Sequence, residues 1–77
     1  MEKLLDVIIT VKPTADKERV LGAQDLFGEG ILDSLDVLNL ITELEAAYCI
    51  EINMANLSRN DLLTIQAINE MVKRNGG

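Results

Sequence analysis

The sequence contains no histidine and no tryptophan, and it has one cysteine and one proline among 77 residues. Without histidine, the chain cannot build a Ser-His catalytic pair or an imidazole metal site. A single cysteine excludes an internal disulfide framework and, with no histidine, a zinc site; it also fits a reducing compartment. The commonest hydrolytic and zinc-dependent sites are therefore excluded for this chain acting alone.

Aromatic residues and long hydrophobic runs are also scarce. Phe27 and Tyr48 are the only aromatic residues, yet 48% of the residues are hydrophobic, so we expect one domain over residues 1–77 with an aliphatic core. The apolar runs are much shorter than a membrane span, and Asp6 interrupts the apolar N-terminal stretch, which is unlike a signal peptide. We expect a cytoplasmic monomer that does not insert into membranes.

Basic residues are missing from the middle of the chain. The net charge is −6, and no lysine or arginine lies between Val20 and Ser58, although seven acidic residues do. Such a charge repels nucleic acid and anionic membranes, so neither is expected as a partner. The acidic segment is either an ordinary solvated surface or a docking face for basic partners.

Residues 2–12 fit two structures. As a helix, they place Leu4, Leu5, Ile8 and Val11 on one side. As a strand, they alternate apolar and polar residues, and their β-branched side chains favour this form. We favour the helix, because no later segment offers a convincing partner strand.

A long connection follows over residues 13–33. Pro13 and three glycines interrupt regular structure there. Loops of about 20 residues are uncommon in compact domains and are usually functional or internally packed. A short helical turn within Ala15–Leu21 would fit this segment.

Residues 34–48 have the clearest helical pattern. Asp33 suits the N-cap position, and Asp36 in the first turn complements the helix dipole. One broad apolar stripe is formed by Val37, Leu40, Ile41, Leu44 and Tyr48. The opposite face, which is mainly polar, carries Leu35, Asp36, Asn39, Thr42, Glu43 and Ala46.

Shorter elements are expected before a last helix. Residues 49–52 leave the central helix in extended form, with the cysteine at position 49 as a small buried hydrophobe. Met54–Leu57 would form one short helical turn. The last helix would begin near Asp61 or Thr64, either of which suits a cap.

Together these elements predict an all-α fold. It is a small four-helix bundle, with three longer helices, one short helix and a long first loop. Met54 and Met71 are expected to fill gaps in its core. Gly76 is expected to stop the last helix.

Ser34 offers a hydroxyl at the start of the central helix, in the sequence Asp33-Ser34-Leu35-Asp36. The chain supplies no base to activate it, because a Ser-Lys dyad would need a lysine from outside the acidic segment. The residue is either a plain capping serine or an attachment point, where helix N–H groups and the dipole would stabilise a phosphate ester. The acidic residues around it lack the spacing of a calcium-binding loop, so we predict no metal site.

A wider pattern runs through Leu26–Asp36, Leu40–Glu45, Tyr48–Ile52 and Thr64–Ile68. The resemblance to the acyl carrier protein family that these segments carry extends over nearly the whole chain. It implies a four-helix, non-catalytic carrier whose Ser34 receives a covalent 4′-phosphopantetheine arm from coenzyme A, through a Mg²⁺-dependent phosphopantetheinyl transferase. The arm's thiol would hold an acyl or aminoacyl group as a thioester, loaded by an acyl- or aminoacyl-loading ligase and passed to a downstream acyltransferase or synthase.

The same resemblance implies a partner surface. Fatty-acid carriers usually have an acidic residue where Asn39 stands, and often another where Ala46 stands. The loop at Phe27–Leu32 and residues 53–63 resemble D-alanyl carriers and stand-alone peptidyl carriers more closely. The candidate partner-contact residues are Asp33, Leu35, Asp36, Asn39, Glu43 and Glu45.

Several functions stay open on the sequence alone. The carrier would serve fatty-acid or polyketide biosynthesis, or it would carry an aminoacyl group such as D-alanine for cell-wall polymer modification or nonribosomal peptide synthesis. A ubiquitin-like sulfur carrier using Gly76-Gly77 would need a β-grasp sheet, and an interaction module would leave Ser34 unmodified. A cavity for an acyl chain would depend on packing among Ile8, Leu40, Leu44, Ile65 and Ile68.

Overall fold

The computed structural model describes residues 2–77 as an all-helical protein. Across these residues it has four α-helices, two 3₁₀ turns and no strand. The helices are α1 (Glu2–Val11), α2 (Lys17–Gly22), α3 (Ser34–Tyr48) and α4 (Ile65–Arg74), and the 3₁₀ turns are Met54–Asn56 and Arg59–Leu62. The predicted all-α bundle is therefore confirmed, and the β-grasp alternative is wrong.

The first helix, α1, confirms the helical interpretation of the N-terminal segment. Leu4, Val7 and Ile8 are buried at helical spacing, which an alternating strand would not produce. This buried side packs mainly against α3, with smaller contacts to α2 and α4.

The short α-helix lies in the long connection rather than after α3. The Asp16 side chain accepts a hydrogen bond of 2.9 Å from the Glu18 N–H, which caps α2. The segment predicted as a short helical turn, Met54–Leu57, forms only a 3₁₀ turn at Met54–Asn56, closed by a bond of 3.2 Å from the Leu57 N–H to the Met54 carbonyl. Met54 is 46% exposed, so its predicted place in the core is wrong.

The central helix, α3, begins at a capping box. The Asp33 side chain accepts from the Asp36 N–H at 3.0 Å, and the Asp36 side chain accepts from the Asp33 N–H at 3.1 Å. The predicted N-cap is therefore confirmed. Of the predicted apolar stripe, Leu40, Ile41 and Leu44 are buried.

The end of α3 corrects one prediction from the sequence. Cys49 is exposed, not buried. It takes the left-handed conformation, with φ of 54°, and its N–H donates to the Glu45 carbonyl. This turn ends the helix and leaves the side chain at the surface, because the chain reverses before the apolar residues Ile50 and Ile52 return to the core.

The last helix, α4, begins after a cap at Thr64, whose hydroxyl accepts from the Ala67 N–H at 3.0 Å. Asp61, the other predicted cap, lies in the second 3₁₀ turn instead. The buried side chains of α4 are Ile65, Ile68, Met71 and Val72, which confirms Met71 as a core residue.

Gly76 stops α4 as predicted. Its φ of 95° lies in a region that glycine enters without steric cost. The Gly76 N–H donates to the Lys73 carbonyl at 3.1 Å, and the Gly77 N–H donates to the Val72 carbonyl at 2.9 Å. These two bonds form a Schellman motif, so the glycine pair closes the helix.

The core is made of non-aromatic apolar side chains from all four α-helices and from the segments that connect them. We expect Leu44→Ala to lower the free energy of unfolding by about 2–5 kcal/mol, because Leu44 is fully buried and the truncation leaves a cavity. Leu35→Ala makes the same chemical change on the same helix at a side chain that is 72% exposed, and should change stability by less than about 0.5 kcal/mol. Urea denaturation of both variants measures this; equal losses would contradict the assigned packing.

Candidate functional site

Ser34 is the first residue of α3 and is exposed. Asp33, not Ser34, provides the side chain that caps the helix. Among residues 2–77, the Ser34 hydroxyl takes part in no hydrogen bond to the protein. The interpretation of Ser34 as a plain capping serine is therefore wrong, and its hydroxyl is available for chemistry.

The backbone beside this hydroxyl suits an anion. Within the described residues, the N–H groups of Ser34 and Leu35 donate to no protein acceptor, since the first bonds of the helix start from Asp36 and Val37. These free donors lie at the positive end of the helix dipole. A phosphate ester on the Ser34 oxygen would accept hydrogen bonds from them, so the site fits the phosphate of a phosphopantetheine arm.

Asp36 lies inside the structure rather than on the outward face of α3, where the sequence pattern placed it. The residue is only 8% exposed. One carboxylate oxygen, Oδ2, accepts from the Asp33 N–H and also from the Lys12 ammonium at 3.0 Å. Lys12 follows α1 directly, so this ion pair joins the end of α1 to the start of α3.

The ion pair shifts the pKa of both partners. Burial alone would raise the pKa of Asp36, but the hydrogen bond from Lys12, the bond from the Asp33 N–H and the nearby ammonium charge together lower it below 3.8. The hydrogen bond to Asp36 raises the pKa of Lys12 above 10.5, against a smaller opposing effect of burial. Lys12 is therefore held as a cation and is poorly suited to act as a base for Ser34.

The other candidate partner-contact residues have different surroundings. Glu45 is half-buried, and its carboxylate accepts from the Ile52 N–H at 2.9 Å, which ties the end of α3 to the next segment. Leu35 is 72% exposed, which leaves its side chain free to contact another protein. Contact with partner enzymes stays a prediction for all six residues. Those on the surface are Asp33, Leu35, Asn39 and Glu43.

An open groove of about 520 Å³ lies beside Ser34 and was not predicted from the sequence. The sequence feature that could have indicated this groove is Leu38, an apolar residue next to the apolar stripe of α3. In the structure its side chain is 55% exposed. The groove runs between α3 and the segment that carries the two 3₁₀ turns. It is lined by Phe27, Ser34, Val37, Leu38, Met54, Leu57, Ser58, Arg59 and Leu62.

The long loop and the second 3₁₀ turn are held together at this groove. The Leu26 N–H donates to the Leu63 carbonyl at 2.8 Å. The Arg59 guanidinium lies 5.8 Å from the centre of the Phe27 ring and 3.4 Å from a carboxylate oxygen of Asp25. The groove is thus built by segments that are distant in sequence.

The groove lies beside the core, not inside it. The five residues named from the sequence as the surroundings of an acyl-chain cavity are all fully buried and belong to one continuous hydrophobic cluster. None of them lines the groove; of its lining residues, Leu62 alone belongs to the buried cluster. The five are Ile8, Leu40, Leu44, Ile65 and Ile68.

The lowered pKa values predict a loss of stability in acid. The pKa of Asp61 is also lowered, by bonds from the Ser58 N–H and the Arg74 guanidinium. Groups whose pKa falls on folding stabilise the protein above their ordinary pKa of 3.8, and this stabilisation is lost as the pH falls through the folded-state value.

We expect Asp36→Asn to destabilise the protein by about 0.5–2 kcal/mol at pH 7, because it weakens the capping box and removes the ion pair. The difference from the unsubstituted protein should shrink as the pH falls below 3.8. Urea denaturation between pH 7 and pH 3 would measure it, with Glu70→Gln on exposed surface as the control. A difference that is independent of pH would contradict the role of the Asp36 charge.

The sequence of this chain is similar to those of known carrier proteins. No protein-family model and no solved structure matches it. The D-alanyl carrier protein of Lactococcus lactis subsp. lactis strain IL1403 is 40% identical over 67 residues, which cover 87% of this chain and 84% of that protein. The D-alanyl carrier protein of Lactococcus lactis subsp. cremoris strain MG1363 is 39% identical with the same coverage.

A third relative matches over a shorter range. The D-alanyl carrier protein of Streptococcus uberis is 42% identical over 50 residues, which cover 65% of this chain and 63% of that protein.

None of the helices described for residues 2–77 has both the length and the apolar character that a bilayer span needs. With the Lactococcus relatives covering most of both chains and with the all-helical fold, the chain belongs to the acyl carrier protein family, and it is a carrier protein.

Proposed function

We propose that this chain carries a D-alanyl group as a thioester on a 4′-phosphopantetheine arm attached to Ser34. The observation that carries the proposal is the similarity to proteins named D-alanyl carrier protein over 87% of the chain. The exposed Ser34 hydroxyl and the free N–H groups beside it support the attachment point.

Ser34 takes part in the attachment as a nucleophile. Its oxygen forms a bond to the phosphorus next to the pantetheine of coenzyme A, and the pyrophosphate bond breaks, so that adenosine 3′,5′-bisphosphate leaves. The Ser34 proton goes to a base of the phosphopantetheinyl transferase, because this chain has no histidine and Lys12 is held by Asp36. The free N–H groups of Ser34 and Leu35 then stabilise the negative ester.

A small cargo fits this chain better than a long acyl chain. The attached arm supplies a terminal thiol, which holds the D-alanyl group as a thioester. The core residues around which an internal cavity would form are fully buried and tightly clustered, as they would be in a carrier with a small cargo. Asn39 and Ala46, where fatty-acid carriers usually have acidic residues, also favour partners outside fatty-acid synthesis.

The partners of the proposed carrier act on the surface around Ser34. They are a phosphopantetheinyl transferase, a ligase that loads D-alanine with the energy of ATP, and a downstream acyltransferase, all reached from the cytoplasm. Leu35 is the strongest candidate for an apolar contact, because it is exposed and adjacent to Ser34. Asp33, also at the surface, would steer basic partner surfaces toward it.

Attachment of the arm is tested by intact mass spectrometry. We expect incubation with coenzyme A, Mg²⁺ and a broad-specificity phosphopantetheinyl transferase to add one phosphopantetheinyl group. Ser34→Ala should abolish the gain, whereas Thr42→Ala, which removes an exposed hydroxyl from the same helix, should keep it. No gain with several such transferases would overturn the proposal.

The identity of the cargo needs a second measurement. We expect the arm-bearing protein to be charged by D-alanine, ATP and a D-alanine-activating ligase, with a gain of one alanyl group that neutral hydroxylamine removes. A fatty-acyl ligase supplied with a long-chain fatty acid should charge it at least about tenfold more slowly, which corresponds to 1.4 kcal/mol in activation free energy. Rapid charging with the fatty acid and none with D-alanine would show an acyl carrier of another pathway.

A further inference from the structure

Among the described residues, 2–77, those that line the groove beside Ser34 include no carboxylate. The apolar members of this lining come from the long loop, from α3 and from the segment that carries the two 3₁₀ turns. Its polar members are Ser34, Ser58 and Arg59. A protonated amine in this groove would lose water and meet no negative partner, and the charge already there has the same sign. On this ground the lining favours uncharged groups over an ammonium.

Two carboxylates, Asp25 and Asp61, contact residues of the groove wall, and both are already engaged. Asp61 Oδ2 accepts from the Ser58 N–H at 3.0 Å, and its Oδ1 accepts from the Arg74 guanidinium.

Asp25 is bound in a similar way. Its Oδ1 accepts from the N–H groups of Phe27 at 3.1 Å and Gly28 at 2.8 Å, and its Oδ2 lies 3.4 Å from Arg59. Asp25 is not part of the groove lining. The Asp25 carboxylate holds the wall in place, because it already contacts donors of this chain. An entering ammonium would compete with these donors for its oxygens.

The position of Ser34 in the lining gives the groove a natural occupant. An arm attached to this side chain starts at the groove wall, so entry is intramolecular, with an effective concentration of about a millimolar. The groove volume of about 520 Å³ lies within the usual range for small-ligand sites. The pantetheine portion beyond the phosphate is uncharged, which matches an apolar lining with two hydroxyls.

We propose that this groove holds the Ser34-bound arm when the end of the arm is uncharged, and releases it when the end carries an ammonium. The inference rests on the proposed function, because a D-alanyl thioester has a protonated amine at neutral pH and a free thiol does not. Loading with D-alanine would then move the arm from the groove into solvent. The empty carrier and the loaded carrier would present different surfaces to the next enzyme.

The test compares two cargoes of the same shape. An isobutyryl group differs from a D-alanyl group by a methyl in place of the ammonium. Both are installed, as stable amide analogues, from synthetic coenzyme A derivatives and a phosphopantetheinyl transferase. Nuclear magnetic resonance spectra of the unmodified, thiol-ended, isobutyryl and D-alanyl forms then report on Val37, Leu38, Leu57 and Leu62 in the groove wall.

We expect the thiol-ended and isobutyryl forms to shift these groove signals relative to the unmodified protein. In the D-alanyl form the signals should return toward their unmodified positions, as the docked fraction falls by about tenfold or more. Similar groove shifts for the two cargoes would overturn the inference, and so would an absence of shifts with every arm.

A matched pair of variants tests the role of charge in the lining. Leu38→Glu adds a carboxylate at an exposed position on the groove wall, and should let the D-alanyl form dock. Leu21→Glu adds the same charge at another exposed leucine, which lies on α2 outside the groove, and should not. Met54→Glu, on the opposite wall, repeats the test if Leu38→Glu does not fold. A D-alanyl arm that stays undocked in both groove variants would contradict the charge argument.

The two proposals fail in different measurements. Failure of the arm to attach appears in the mass spectrum before any resonance experiment, and it contradicts the attachment at Ser34. A protein that accepts the arm but holds both cargoes alike contradicts only the selection by charge in the groove.

Discussion

The Asp36 carboxylate is the contact on which the geometry of this protein depends. It accepts from the Asp33 N–H at 3.1 Å and from the Lys12 ammonium at 3.0 Å, and so fixes the first turn of α3 to the end of α1. An exposed ion pair is worth about 0–1 kcal/mol, but this one is partly buried and shares its oxygen with a helix cap. The main effect of the Asp36 carboxylate is to hold the first turn of α3 in place. Because Asp33 and Asp36 complete the helix cap, the Ser34 hydroxyl is not used in it.

This arrangement separates the tasks of stability and chemistry on one helix. The inner side of α3 contributes Leu40 and Leu44 to the aliphatic core. The outer side and the first turn present Ser34, Leu35 and Leu38 to solvent. A carrier needs this division, because its attachment point must stay accessible to several enzymes while the scaffold beneath it stays fixed.

Local rules of sequence predicted the features that depend on neighbouring residues. The stripe of α3, the cap at Asp33 and the family resemblance around Ser34 all follow from short-range patterns. The buried position of Asp36 could not be predicted, because its partner Lys12 lies 24 residues away. The same holds for the groove, whose walls meet only through tertiary contacts, and for the surface position of Cys49, which follows from a left-handed residue that the sequence does not mark.

The hydrogen bond from the Leu26 N–H to the Leu63 carbonyl, 2.8 Å long, joins the long loop to the entrance of α4. Leu26 itself is fully buried, so this amide can exchange its proton with solvent only after the loop and the turn before α4 have separated. The loop residue Phe27 and the 3₁₀ turn that carries Leu62, which both line the groove, would move apart in the same event. The exchange rate of one backbone proton thus records how often the protein opens beside its attachment point.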